Sequence, residues 1–178
     1  MAEFRFDPDE LLSEEIIVDK LDAARRQMES AIAMFFHDGD VVSQHTLIMA
    51  AHGILYDLGH QRGVGGSIKD SPHVRPELRN EFIKAVHLPQ NFFKHADEDG
   101  GSKLRFRHNG SHFWLFDTVR LFVLLGGQVT HAMKVFLMWF QLRYPDLLCF
   151  QPAEEDLRTI RNDTSDPTTF KLLARVLL

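Results

Sequence analysis

The segment Asn91-Phe92-Phe93-Lys94-His95-Ala96-Asp97 carries residue types that could cleave a phosphodiester without a metal. A histidine serves as general base, an amide orients the substrate, and a lysine stabilises charge on phosphate. On a helix, Asn91 and His95 would share one face, with Lys94 beside it and Phe92 or Phe93 turned to the core. His95, Asn91 and Lys94 are therefore the candidate catalytic residues. The competing reading is an exposed polar helix end, with a histidine where the helix dipole favours a cation.

Ten histidines raise the question of metal binding. His45 and His52 lie seven residues apart, which places them on one face of a helix. That spacing also separates them by roughly 10 Å along the axis. Two ligands of one zinc each reach the ion at about 2 Å, so this pair needs further ligands from another helix, such as Glu29 or His37. His52 falls in the apolar stripe of Ile48 and Leu55, where a half-buried histidine with a hydrogen-bond partner is the plainer expectation. The pair stays a weak alternative metal site, and no cofactor is expected.

Gly63-Val64-Gly65-Gly66-Ser67 invites a phosphate-loop reading. That chemistry needs a strand before the loop and a helix N-terminus after it. Here the loop follows a helical pattern, and Ile68-Lys69-Asp70-Ser71-Pro72 shows no helix start, so a mobile linker is expected. Serine-hydrolase chemistry finds no Gly-x-Ser-x-Gly elbow. Ser111 and His112 are adjacent, which makes their side chains diverge on a helix. Cys149 is the only cysteine, so neither an internal disulfide nor a cysteine-built zinc site can form. Its neighbours Leu147, Leu148 and Phe150 suggest a packed core thiol.

These residues must be positioned by helices. Ile17, Leu21, Ala24, Met28, Ile32 and Phe35 recur at helical steps, with Ser13 as the expected cap and Glu14 and Glu15 in the first turn. Ser43 is expected to cap a second helix, whose stripe is Ile48, Ala51, Leu55 and Leu58 and which ends near Gly59. A third helix starts at Arg75-Pro76 with Leu78, Phe82, Ile83 and Val86 on its face, and Pro89 begins a short fourth. Lys103-Leu104-Arg105-Phe106-Arg107 alternates with period two, at most one extended segment, open to pairing across a homodimer. Helices from about Ser111 to Leu125 and Thr130 to Arg143 follow. Two further helices are expected near 154–161 and 168–177. With no internal repeat, the expected fold is an all-α bundle of about six to eight helices. It forms a single domain over 1–178, with a core of about 14–145 and a helical appendage over about 150–178.

The formal net charge of −5 argues against strong non-specific nucleic-acid binding, which draws on many cationic contacts to phosphate. It leaves room for a local basic patch. The charged start Met1-Ala2-Glu3-Phe4-Arg5 lacks an apolar signal region, and no apolar run approaches the roughly 20 residues of a membrane span. A cytoplasmic protein with no membrane partner is expected. Fifteen phenylalanines against two tyrosines suggest a core of aromatic rings without polar tips.

Ala23-Ala24-Arg25-Arg26-Gln27, Asp38-Gly39-Asp40, His45-Thr46-Leu47, Ala50-Ala51-His52 and the Asn91–Asp97 segment together resemble a bacterial family of helical proteins without assigned activity. The resemblance covers most of residues 14–145 and implies a shared helical fold. A fainter similarity is to the HEPN superfamily, helical domains that act on nucleotides and RNA. It implies a helix pair followed by an arginine, four to six residues, then a histidine. At Leu88–His95 that arginine is absent, Arg79 and His87 lie one residue too far apart, and Arg107 and His112 fit the spacing across the Asn109-Gly110 turn. The leading expectation is a helical binding or interaction protein without a complete catalytic constellation. Its partner would be a protein, a small molecule or a nucleotide. The alternative is a HEPN-like, metal-independent ribonuclease or nucleotide-binding protein using Asn91, Lys94 and His95.

Overall fold

The computed structural model of the chain describes residues 15–97, 100–147 and 171. Among them are five α-helices and four 3-10 turns, with no strand. The helices are α1 (Lys20–Phe36), α2 (Val41–Gln61), α3 (Arg79–Lys94), α4 (Ser111–Leu124) and α5 (His131–Arg143). The all-helical class stands, with fewer helices than the six to eight expected. The Ser13 cap, Cys149 and the expected C-terminal helices lie outside the described residues, apart from helical Lys171.

Each boundary has a local cause. Asp19 caps α1 by accepting the Asp22 N–H at 2.7 Å, six residues after the expected cap Ser13, and Ile17 is fully exposed rather than part of the stripe. The other stripe positions hold: Ala24, Met28, Ile32 and Phe35 are buried, joined by Ala31 and Phe36. Asp40, not Ser43, caps α2, because its carboxylate accepts the Ser43 N–H at 2.7 Å. Pro89 does not start a helix of its own; it sits inside α3, where its missing N–H removes a single bond to the Ala85 carbonyl. The third and fourth expected helices are therefore one. The Lys103–Arg107 segment has no strand partner among the described residues, although its exposure alternates as expected.

Helices α1, α2, α4 and α5 enclose the core, while α3 packs on α2 from outside and buries none of its residues. Aromatic rings fill the centre. Phe35 meets Phe36, Phe136 and Trp139 edge-on at 5.0, 6.0 and 4.5 Å, and Phe116 stacks on Phe140 at 4.5 Å. None of the helices among the described residues is long and apolar enough to cross a membrane.

Helix α2 runs past Gly59 to Gln61, and the chain then doubles back so that Val64 N–H bonds the Gly59 carbonyl at 2.8 Å. A Cβ on Gly59 would lie 2.8 Å from the Val64 carbonyl oxygen, a backbone atom that cannot step aside. Gly53, also inside α2, has open space where its Cβ would be. Alanine should therefore act oppositely at the two positions. Gly53→Ala is expected to stabilise by roughly 0.5–1 kcal/mol through helix propensity. Gly59→Ala is expected to destabilise by about 1–2 kcal/mol, because the clash outweighs that gain. Urea midpoints of the two variants check this; equal shifts would show that the loop does not press on the helix.

Candidate functional site

Among the described residues, buried polar groups from two helices and a loop converge on one carboxylate. Asp117 projects from the middle of α4, fully shielded from solvent. Its Oδ2 lies 2.9 Å from His52 Nε2 on α2 and accepts from Ser67 Oγ at 2.9 Å and the Ile68 N–H at 3.0 Å. Arg120, one turn on, donates to Oδ1 at 2.6 Å and to the Gly66 carbonyl. Gly66 adopts φ +106°, a conformation that suits glycine, and this turns its carbonyl toward the guanidinium.

The loop that looked like a mobile linker is thus fixed at both walls. A 3-10 turn, Ile68–Asp70, does follow it, capped by Ser67 whose hydroxyl accepts the Lys69 N–H at 3.2 Å. Arg79 at the start of α3 donates to the Lys69 and Ser71 carbonyls, each at 3.0 Å. Lys69 itself is buried, its ammonium 4.9 Å above the Tyr56 ring. Burial pushes the Lys69 pKa down against the attraction of Asp57, Asp117 and Asp70. Tyr56 donates to Asp70 at 2.9 Å, and burial with that bond pushes its hydroxyl up to about 12.

Protonation within the cluster follows from geometry. A carboxylate can only accept, so His52 carries its proton on Nε2 and donates it to Asp117. Burial raises the Asp117 pKa, but the hydrogen bonds from His52, Arg120 and Ile68 outweigh that and hold it below the ordinary value. Burial also lowers the His52 pKa, partly offset by the same bond. His52 Nδ1 is left buried without a partner.

This is not a serine-protease relay, despite the residue types. In a relay the histidine bridges serine and aspartate through different ring nitrogens. Here the Ser67 hydroxyl sits 3.3 Å from the same Nε2 that bonds Asp117, and it gives its own proton to the carboxylate. No base is free to activate the serine. The cluster fastens the loop to α2 and α4.

Comparison with protein-family models, curated proteins and solved structures returned no match.

His45 and His52 share the buried face of α2 as expected, yet each turns to a different residue of α4. His45 Nδ1 lies 2.9 Å from Ser111 Oγ, and His52 bonds Asp117. His52 is fully buried rather than half-buried. No group of three His, Cys, Asp or Glu suited to a metal occurs among the described residues. Ser111 and His112 diverge, the latter reaching Tyr144 at 3.3 Å. Asp117 escaped the sequence reading, although an acid one turn from both Phe113 and Leu121 on an apolar helix was the available signal.

Asn91, Lys94 and His95 are all exposed at the end of α3. His95 leaves helical conformation at φ −127°, ψ 145°, so the helical register with Asn91 does not extend to it. Its backbone N–H bonds the Asn91 carbonyl at 3.0 Å, while its ring makes no hydrogen bond among the described residues. Phe93 meets Phe106 edge-on at 5.2 Å, and both rings flank His45. That contact joins the end of α3 to the segment 102–108. Lys94, His95, Lys103, Arg105, Arg107 and His108 consequently gather at one end of the molecule, exposed and without an ion pair among the described residues.

Proposed function

We propose that this chain is a non-catalytic helical binding protein whose partner surface is the end of α3 together with residues 102–108. The observation that carries the reading is the group of exposed basic residues, Lys94, Lys103, Arg105 and Arg107 with His95 and His108, that forms no ion pair among the described residues. Uncompensated charge of one sign attracts a partner of the other and speeds the encounter. The partner is therefore anionic, and the protein works in the cytoplasm without a cofactor.

Binding is favoured over HEPN-like RNA cleavage because no hydrogen bond among the described residues orients the His95 ring. A general base depends on a held ring, and the rings held by buried side chains, His45 and His52, are themselves buried. Assay of RNA in EDTA with the wild type and His95→Ala addresses the alternative directly; cleavage lost in the variant would establish it.

The binding reading is tested by amide chemical-shift mapping with polyphosphate, an anion lacking any amide. Shifts confined to residues 91–108, abolished by raising the salt, are the expected result. Shifts elsewhere, or none at low salt, would refute it.

A further inference from the structure

The segment 102–107 offers more than charge. Its exposure alternates: Lys103, Arg105 and Arg107 are exposed while Leu104 and Phe106 are half-buried, with Phe106 held against His45 and Phe93. That is the period of an extended chain with one face anchored. The N–H and C=O groups of residues 103–106 make no hydrogen bond among the described residues. Alternate positions of an extended chain would set the exposed Lys103, Arg105 and Arg107 about 7 Å apart beside this open backbone. Asp97, the described acid closest in sequence, forms no ion pair with them.

We infer that this edge takes an acidic peptide from a partner protein as an added β-strand. The inference rests on the binding reading above and names the partner's chemistry. A peptide strand satisfies two independent needs at once: its backbone pairs with the open edge, and acidic side chains at alternate positions face Lys103, Arg105 and Arg107. Single-stranded nucleic acid meets only the second need. It would also want exposed rings to stack on, whereas Phe93 and Phe106 are turned inward. A second copy of this chain is disfavoured by its own charges. Antiparallel pairing in register sets Arg105 against Arg105 and Lys103 against Arg107, and like charges directly opposite repel. The basic face thus blocks self-pairing at the edge and selects an acidic strand.

The experiment is fluorescence anisotropy of the full chain with a labelled peptide of about seven residues alternating glutamate and valine. Saturable binding is expected. N-methylation of alternate peptide amides, which keeps the charge and removes the strand bonds, should weaken it about tenfold. The variant Lys103→Glu/Arg105→Glu/Arg107→Glu alters only exposed side chains and should keep the wild-type melting temperature. It should lose the glutamate peptide and bind a lysine–valine counterpart instead. Equal affinity for the N-methylated peptide would overturn strand addition, as would tighter binding of labelled oligouridylate. Binding of polyphosphate without the peptide removes this inference alone; binding of neither removes the surface reading too.

Discussion

Asp117→Ala is expected to destabilise the fold by about 3–5 kcal/mol, the range for removing one partner of a buried charged network. The loss does not come from a single bond. His52 Nε2, Ser67 Oγ, the Ile68 N–H and the Arg120 guanidinium all surrender their shared acceptor. Two of these four, His52 and Ser67, are buried, so each keeps most of its desolvation cost. Asp117→Asn should cost less, because an amide oxygen can still accept while its NH2 group faces Arg120. Asp146, exposed beyond α5, is the control, and Asp146→Ala should change stability by no more than about 0.5 kcal/mol. Urea unfolding of the three variants decides the matter. A loss below about 1 kcal/mol for Asp117→Ala would mean that water replaces the carboxylate and that the loop is not fastened by it.

Acid should unfold this protein well before ordinary carboxylates titrate. Burial pushes His45 down to about 4, and burial with the charges of His108, Lys171 and Arg143 brings His112 to about 4 as well. His52 is lowered in the same direction. In the unfolded chain these rings take up protons near 6.5, whereas the folded protein resists doing so. Their contribution to stability is therefore complete above about pH 6.5 and is lost as the pH falls toward 4. The loss amounts to about 3 kcal/mol for His45 and less for the half-buried His112. Asp117, also lowered, extends the loss to more acid pH. Urea midpoints between pH 8 and pH 4 should be flat at the upper end and fall steeply below about 6.5. Phenylalanine at His45 should shallow that fall, and an unchanged slope would show that the His45 ring is charged in the folded state.

How much of this was readable from the residues depends on range. The stripe of α1 and the limits of α5, Thr130 to Arg143, follow from local spacing and capping, and the structure keeps them. Local rules misjudged Pro89 because α3 packs on α2 and gains enough there to carry one missing bond. The sequence reading gave His52 a hydrogen-bond partner without a name. That partner is 65 residues away, and Ser67 is 50 residues from the same carboxylate, so no window along the chain contains the cluster. The glycine loop misled for the same reason: its immobility comes from α4. The period-two pattern of Lys103–Arg107 was plain from the outset, but the absence of a strand beside it is a fact of three dimensions.

Helix α3 has a place in the molecule that no other helix shares. It is pinned at its start by Arg79 on the Lys69 and Ser71 carbonyls and at its end by Phe93 on Phe106, and it contributes nothing to the buried core. Such a helix is expected to open at lower cost than the four other helices among the described residues, which amide hydrogen exchange would show as faster exchange over Arg79–Lys94. The proposed partner surface therefore rides on the least costly part of the fold to rearrange. On the proposed reading, recognition at Lys94 and His95 would be coupled to the opening of α3, and a bound partner would act as its clasp.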